Sequence, residues 1–287
     1  MLLRLRHRTM DLSQRMAVMA IVNRTPDSFY DQGATFGLQA SVDHALAQVA
    51  EGADIVDVGG VKAGPGEAVT PAQEMERIIP FVTAFRHHSD VPLSIDTFRA
   101  SVADAALQAG ADLINDTSGL SDPDLAAVVA KHDAALVVMH SGGDLRRRPY
   151  RHSYHPDVTT VVCDTLATLA RTAQDAGVAP EAIVVDPGHD FRKNTLHSLE
   201  LTRNLPTLVE LGYPVLVALS NKDFIGESLD LDLDQRVAAS IGAAVASLML
   251  GARLVRVHQT TATVRAVRMA EIILGWRPPV HTIRGLG

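Results

Sequence analysis

The sequence predicts a single (β/α)₈ barrel. The first observation is a cycle: a short apolar run, a polar loop and an amphipathic helical pattern recur eight times with no linker-like break. The second concerns the loop after the first run. No G-x-G-x-x-G opens the next helix, which argues against a doubly wound open sheet, the alternative for such alternation. The third is that each run ends on side chains able to do chemistry, as a barrel with its site at the C-terminal strand ends requires.

Strands are expected over 16–22, 54–58, 92–95, 112–115, 135–139, 183–185, 214–219 and 254–257. Helices are expected over 38–51, 71–87, 99–109, 124–131, 158–175, 197–211, 234–251 and 260–274. Thr70-Pro71 and Asp122-Pro123 are start signals, and Gly52, Gly110, Gly177 and Gly212 fall just past helices. Residues 1–14 carry basic side chains but no apolar signal-peptide core, and read as a loosely attached leader ahead of one domain, 15–287.

Composition narrows the function classes. The 287 residues are 47% hydrophobic, enough for a sizeable core, and the net charge of −7 gives no footprint for nucleic acid. The lone Cys163 rules out an internal disulfide and makes a reducing, cytoplasmic setting the default. The longest apolar stretch, 237–250, falls short of the ~20 residues a membrane span needs, so it is a buried helix or an oligomer interface.

The strand ends supply, in order, Asn23 with Asp31 in the following loop; Asp57; Asp96; Asn115-Asp116; Met139-His140; Asp186; Ser220-Asn221-Lys222-Asp223; and Arg256 with His258. One such Asp is most often a turn or helix-cap residue, and Asp57 is read as a structural acid. His140, His152 and His155 lack metal-ligand spacing. Taken together, the acids and amides suit a ligand with a row of donors. Ionised carboxylates buried without partners are costly. Lys222 can donate to a ring carbonyl, Arg256 can stack on a flat heterocycle, and Asn23, Arg256 and His258 can meet an anion.

Asn23-x-Thr25-Pro26-Asp27-Ser28-Phe29 resembles the opening signature of the dihydropteroate synthases, folate-pathway enzymes inhibited by sulfonamides. Ser94-Ile95-Asp96-Thr97, Ile114-Asn115-Asp116, Asp186-Pro187-Gly188-x-x-Phe191-x-Lys193 and Arg256-Val257-His258 extend the resemblance from Met16 over nearly the whole chain. It implies a dimeric barrel that joins a pterin methyl pyrophosphate to p-aminobenzoate, with Mg²⁺ on the departing pyrophosphate. By resemblance, Asp96, Asn115, Met139, Asp186, Lys222 and Arg256 hold the pterin, and Asp96 and Lys222 are the catalytic candidates. Asn23, Arg256 and His258 bind the anion, and Asn23 and Asp31 are the Mg²⁺ candidates.

The departures cluster. After Gly59-Gly60 the family reads Glu-Ser-Thr-Arg-Pro-Gly, whereas this chain reads Val61-Lys62-Ala63-Gly64-Pro65-Gly66. Where the family has Ser-Arg-Lys-Ser, this chain has Ser220-Asn221-Lys222-Asp223, and Gln259 stands where an acid is usual. A hydroxyl and two guanidinium groups are thus missing. Asp223 introduces a carboxylate where the aminobenzoate carboxylate is expected. The pattern implies a homodimeric homologue with little or no synthase activity, still able to bind a pterin or aryl amine. Three other readings compete: a working synthase with a variant lid in which Lys62 serves, a methyltetrahydrofolate-type methyltransferase, and a non-enzymatic pterin-binding protein.

Overall fold

A computed structural model describes residues 1–24, 37–61, 68–142 and 153–284. In chain order the elements are β1 (Leu2–Leu5), β2 (Arg8–Asp11), β3 (Ala17–Asn23), α1 (Leu38–Ala50), β4 (Ile55–Gly59), α2 (Pro71–Arg86), β5 (Leu93–Asp96), α3 (Ala100–Ala109), β6 (Leu113–Asp116), α4 (Leu125–Lys131) and β7 (Ala135–Met139). They continue with α5 (Val158–Asp175), β8 (Ile183–Asp186), α6 (Thr195–Arg203), α7 (Leu205–Val209), β9 (Leu216–Val217), α8 (Asp223–Leu229), α9 (Val237–Met249), β10 (Leu254–Val257) and α10 (Thr260–Ile273).

β3 to β10 form one parallel sheet in the order β8-β7-β6-β5-β4-β3-β10-β9. A parallel bridge between Val185 and Val215 joins β8 back to β9, and this closes the barrel the alternating pattern predicts. The runs are apolar throughout because both faces are covered; β4 and β7 are buried along their whole length. β9 is the weakest strand. It spans two residues where six were expected, because Pro214 has no N–H and only its carbonyl joins the ladder, accepting from Val185.

The leader expectation is overturned. Residues 1–14 build a β1–β2 hairpin across the N-terminal end of the barrel, with Leu3, Leu5 and Leu12 fully buried. Each such leucine contributes roughly 1.5–3 kcal/mol. Arg6 donates to the carbonyls of Leu107 and Ala111 at 2.8 and 3.2 Å, and Arg4 pairs with Asp133 at 2.6 Å, so the basic residues fasten the hairpin rather than solvate a tail. The Leu3–Arg4–Leu5–Arg6 alternation was the signal of a half-buried strand.

Two helices also differ. The pattern over 197–211 divides into α6 and α7 at Asn204, because Pro206 can only open a helix, not continue one. The stretch expected to be loop after Lys222 forms α8, which ends at Asp230 in a left-handed conformation.

Candidate functional site

The sheet register sets the floor of the barrel mouth. Asn23 pairs with Gly59, Gly59 with Asp96, and Asp96 with Asn115, so one inward row crosses four neighbouring strands. Gly59 leaves room in that row: a Cβ there would meet the Asp96 side chain at 3.6 Å. One layer deeper, Asp57 pairs with Ser94, whose hydroxyl donates to its carboxylate at 2.5 Å. Arg256 reaches across β3 from β10. Its Nε donates to Asp57 at 2.6 Å and its Nη2 to Asp96 at 2.9 Å.

Asp57 is therefore a member of the site. It is fully buried, takes Ser94 and Arg256, and lies 3.4–3.5 Å from the Asn115 amide. A strand acid two residues before Gly59, facing a register partner that itself carries a hydroxyl, was the available signal. Its work is to fix the plane of Arg256, which a stacking guanidinium needs.

Burial dominates the electrostatics. It pushes the Asp96 carboxyl up to about 7, against the pull of Arg256 and with the help of the Asp57 charge. Burial opposes the charge on Arg256, yet Asp57 and Asp96 outweigh it and hold the guanidinium firmly cationic. Asp186 is also raised by burial, with Lys222 and a 2.7 Å bond from the Gly188 N–H pulling the other way. Asp116 caps its own turn, accepting from the Ser118 and Leu120 N–H groups and the Ser118 hydroxyl.

The β8 wall is held by a residue whose part the sequence did not reveal. Lys193 is buried and donates to His140 Nδ1 at 2.8 Å and to the carbonyls of Gly188, Phe191 and His140 at 3.0, 3.0 and 3.2 Å. It clips the end of β7 to the loop after β8, which keeps Met139 and Asp186 side by side in register. Gly188 is obligatory here: its φ is +66°, and a Cβ would fall 2.3 Å from the His140 carbonyl. Lys222 closes this wall, donating to the His189 carbonyl, with its ammonium 5.4 Å from the Phe191 ring centre. His189 is completely buried, and burial together with Lys222 and Lys193 holds its ring neutral.

The ends of β9 and β10 are built differently. The Ser220 hydroxyl lies 3.0 Å from His258 Nδ1 and donates to Gln259 Oε1 at 3.1 Å. Asn221 is 1% exposed with φ +58°, a left-handed position that Asn tolerates better than most residues. Its backbone is well held, N–H to Ser240 and carbonyl to Arg236. Among the described residues its side-chain Nδ2 and Oδ1 have no hydrogen-bond partner, nor do Gln259 Nε2 and Thr260 Oγ1. Each unmet buried group costs about 1–3 kcal/mol.

Asp223 corrects an expectation. Its carboxylate is not a bare charge awaiting a ligand: Arg236 donates to it at 3.1 Å, while its backbone N–H is capped by Asp190 at 2.8 Å. Asn23 stands at the end of β3 as expected, and Val61 is half-buried after β4. Asp31, Lys62, Ala63 and Gly64 lie outside the described residues.

Residues 19–258 match the family described as pterin binding enzyme. The chain belongs to the dihydropteroate synthase family. It is 36% identical over 267 residues to a dihydropteroate synthase of Clostridium beijerinckii, covering 92% of this chain and 96% of that one. A solved Xanthomonas albilineans dihydropteroate synthase with 4-aminobenzoic acid superposes with a TM-score of 0.87 at 38% identity, over 95% of this chain and 98% of that one. Identity is higher, 50% over 277 residues, to a Mycobacterium tuberculosis protein named inactive dihydropteroate synthase 2, covering 95% of this chain and 87% of the relative.

Within the dihydropteroate synthase family, then, this chain is a divergent paralogue. The described residues carry the motif acids, amides and cations of β5, β6, β8 and β10 in one mouth, while the departures at Asn221 and Gln259 coincide with the unpartnered groups at its other side.

Proposed function

We propose that this protein binds a pterin in the barrel mouth and has little or no dihydropteroate synthase activity. The observation that carries the reading is the division of the mouth. Arg256 fixed between Asp57 and Asp96 is poised to stack on a flat ring, and Asn115, Asp186 and Lys222 surround it with complementary donors and acceptors. On the other side, Asn221 and Gln259 offer no cation to an anionic group. Interactions made to the departing pyrophosphate and the incoming carboxylate govern rate more than ground-state pterin binding. Their loss leaves a binder without turnover. The 50% identity to a relative named inactive supports the same reading.

The residues assigned here are Asp96, Asn115, Met139, Asp186, Lys222 and Arg256 for the pterin, with Asn23 and His258 facing any phosphate. Asp96 and Lys222 would serve catalysis if any remains: an ionised Asp96 is suited to offset positive charge on a pterin losing its leaving group. Among the described residues no three His, Cys, Asp or Glu side chains gather as a metal site. Mg²⁺ would arrive with a pyrophosphate, whose oxygens and water supply most ligands, and Asn23 could offer one oxygen. The single half-buried Cys163 fits a reducing cytoplasmic setting. Among the described residues no helix is long and apolar enough to cross a membrane.

A homodimer fits the outer face. α9 is apolar along its length, yet only Ser240, Ala244, Ser247 and Leu248 are buried. Ala238, Gly242, Ala246 and Met249 form an exposed stripe, flanked on α10 by Met269 and Ile273 at 52% and 73% exposure. Sedimentation is expected to give a dimer at micromolar concentration, and a monomer would refute this assembly.

The functional reading is tested by supplying pterin pyrophosphate, Mg²⁺ and 4-aminobenzoate beside an ordinary synthase. Less than about a thousandth of its rate is expected. Turnover within about tenfold would make this chain a working synthase with a variant lid.

A further inference from the structure

We propose that the segment 277–284 is an arm exchanged between two copies of this chain. It leaves the strand-start end of one barrel and docks at the mouth end of α9 on the other, with its apolar side chains on the exposed stripe and its basic ones against the acids that precede that helix. The proposal rests on the homodimer reading, which supplies the second copy, and names a segment that each copy contributes to the other.

The chain is anchored to its own barrel only as far as Arg277. α10 ends opposite the mouth, where the Arg253 guanidinium lies 5.0 Å from the Trp276 ring centre and Arg277 pairs with Glu271 at 3.5 Å. Residues 277–284 are all exposed, and none of 278–284 makes a hydrogen bond or ion pair with another described residue. Pro278-Pro279 cannot continue the helix and favours an extended backbone. Val280 and Ile283 are each 83% exposed. Single exposed apolar residues are ordinary, but these two sit three apart on a segment with no other hold on its own fold, next to the exposed Met269 and Ile273 of α10.

The surface that complements this segment lies at the other end of the molecule. Arg236 holds the start of α9 at the mouth by donating to the Asn221 carbonyl. Glu227, Asp230, Asp232 and Asp234 precede that start and are all exposed, around Leu229 at 59% exposure. The stripe begins there with Ala238 and Gly242, and even a Cβ on Gly242 would meet nothing within 4 Å, which leaves room for another backbone. The helix is about 20 Å long, so acids and arm stand about that far apart in one copy. In a two-fold pair with the α9 stripes facing and antiparallel, the strand-start end of each barrel comes beside the mouth end of the other. A parallel pairing would set two acidic groups side by side. The antiparallel one parts them and brings His281 and Arg284 of the other copy to each. An extended 277–284 spans about 25 Å, enough to cover the acidic turn and the first turns of α9.

The test is the dimer dissociation constant of the full chain, read from sedimentation over a concentration series. Val280→Asp with Ile283→Asp is expected to weaken the dimer by roughly tenfold or more. Charge reversal on the arm, His281→Glu with Arg284→Glu, and on the surface, Glu227→Lys with Asp234→Lys, are each expected to weaken it in the same direction. Asp230 and Asp232 stay intact, because the first holds a left-handed backbone and the second caps the turn at Gln235. Combining the two reversals is expected to restore the dimer to within about threefold of the parent, which a general loss of stability would not do. Every substituted residue is exposed, so the thermal midpoints are expected within a few degrees of the parent. A dimer unchanged by the arm variants is the result of an arm that folds back on its own copy or meets another protein. That result, or a combined reversal no tighter than either alone, would overturn the exchange and leave the homodimer standing. A parent that is monomeric at micromolar concentration would strike both.

Discussion

The two sides of the barrel mouth handle polarity in opposite ways. On the β4, β5 and β8 side, buried charges are set against one another: Asp57 and Asp96 share Arg256, and Asp186 is bonded by the Gly188 N–H near two lysines. On the β9–β10 side, among the described residues, the buried Asn221 amide has neither of its side-chain groups bonded, and Gln259 bonds Ser220 through Oε1 but leaves Nε2 unmet. A charged network is costly to assemble and more costly to break, so it persists only where its geometry serves packing or a ligand. By the family resemblance, Asn221 stands where a cation is usual and Gln259 where an acid is usual, so this side has exchanged charge for neutral amides. The contrast is what the proposed reading requires, a pterin signature kept with little or no synthase activity.

The sharpest way to break the comparison is Arg256→Met. This change strands two buried carboxylates and is expected to lower stability by about 3–5 kcal/mol in urea denaturation. A loss below about 1 kcal/mol would mean that Asp57 and Asp96 are not held by this cation.

A smaller effect is expected at Asp96. Its carboxyl is raised by burial to about 7, and only the ionised form offers both oxygens as charge-assisted acceptors to a donor edge. Pterin affinity is therefore full above pH 7 and falls towards tenfold per unit below it, measured by calorimetry from pH 5 to 9. Asp96→Asn should flatten the profile. Folding stability runs the other way: between the ordinary value of 3.8 and about 7 the native state binds the extra proton, so this group lowers stability as pH rises through that window.

The smallest effect belongs to the other side. Asp223 is 48% exposed and pairs with Arg236, so Asp223→Ala should change stability by no more than about 1 kcal/mol. A loss of several kcal/mol would erase the distinction between the two sides.

Much of the floor was legible in the sequence because each motif residue directly follows an apolar run, and the strand period places Asp96, Asn115 and Asp186 without knowledge of any contact. The illegible parts depended on long-range partners. Asp57 reads as an ordinary strand acid until Arg256, almost two hundred residues later, is found beside it. Lys193 reads as a loop lysine until three carbonyls and the His140 ring surround it. Asp223 reads as a repulsive charge until α8 forms and Arg236 meets it. The hairpin was a misreading of a visible alternation, in which the arginines outweighed the leucines between them.

The most direct measurement is calorimetric titration of the protein with two ligands, a pterin without phosphate and the same pterin carrying the methyl pyrophosphate with Mg²⁺. Both are expected to bind, with affinities within about threefold of each other, because the ring is held while Asn23 and His258, without the loop cations, add little for the anion. A pyrophosphate ester binding more than tenfold tighter, or a plain pterin that does not bind, would contradict a mouth that keeps its pterin floor and has lost the loop cations that would hold the anion.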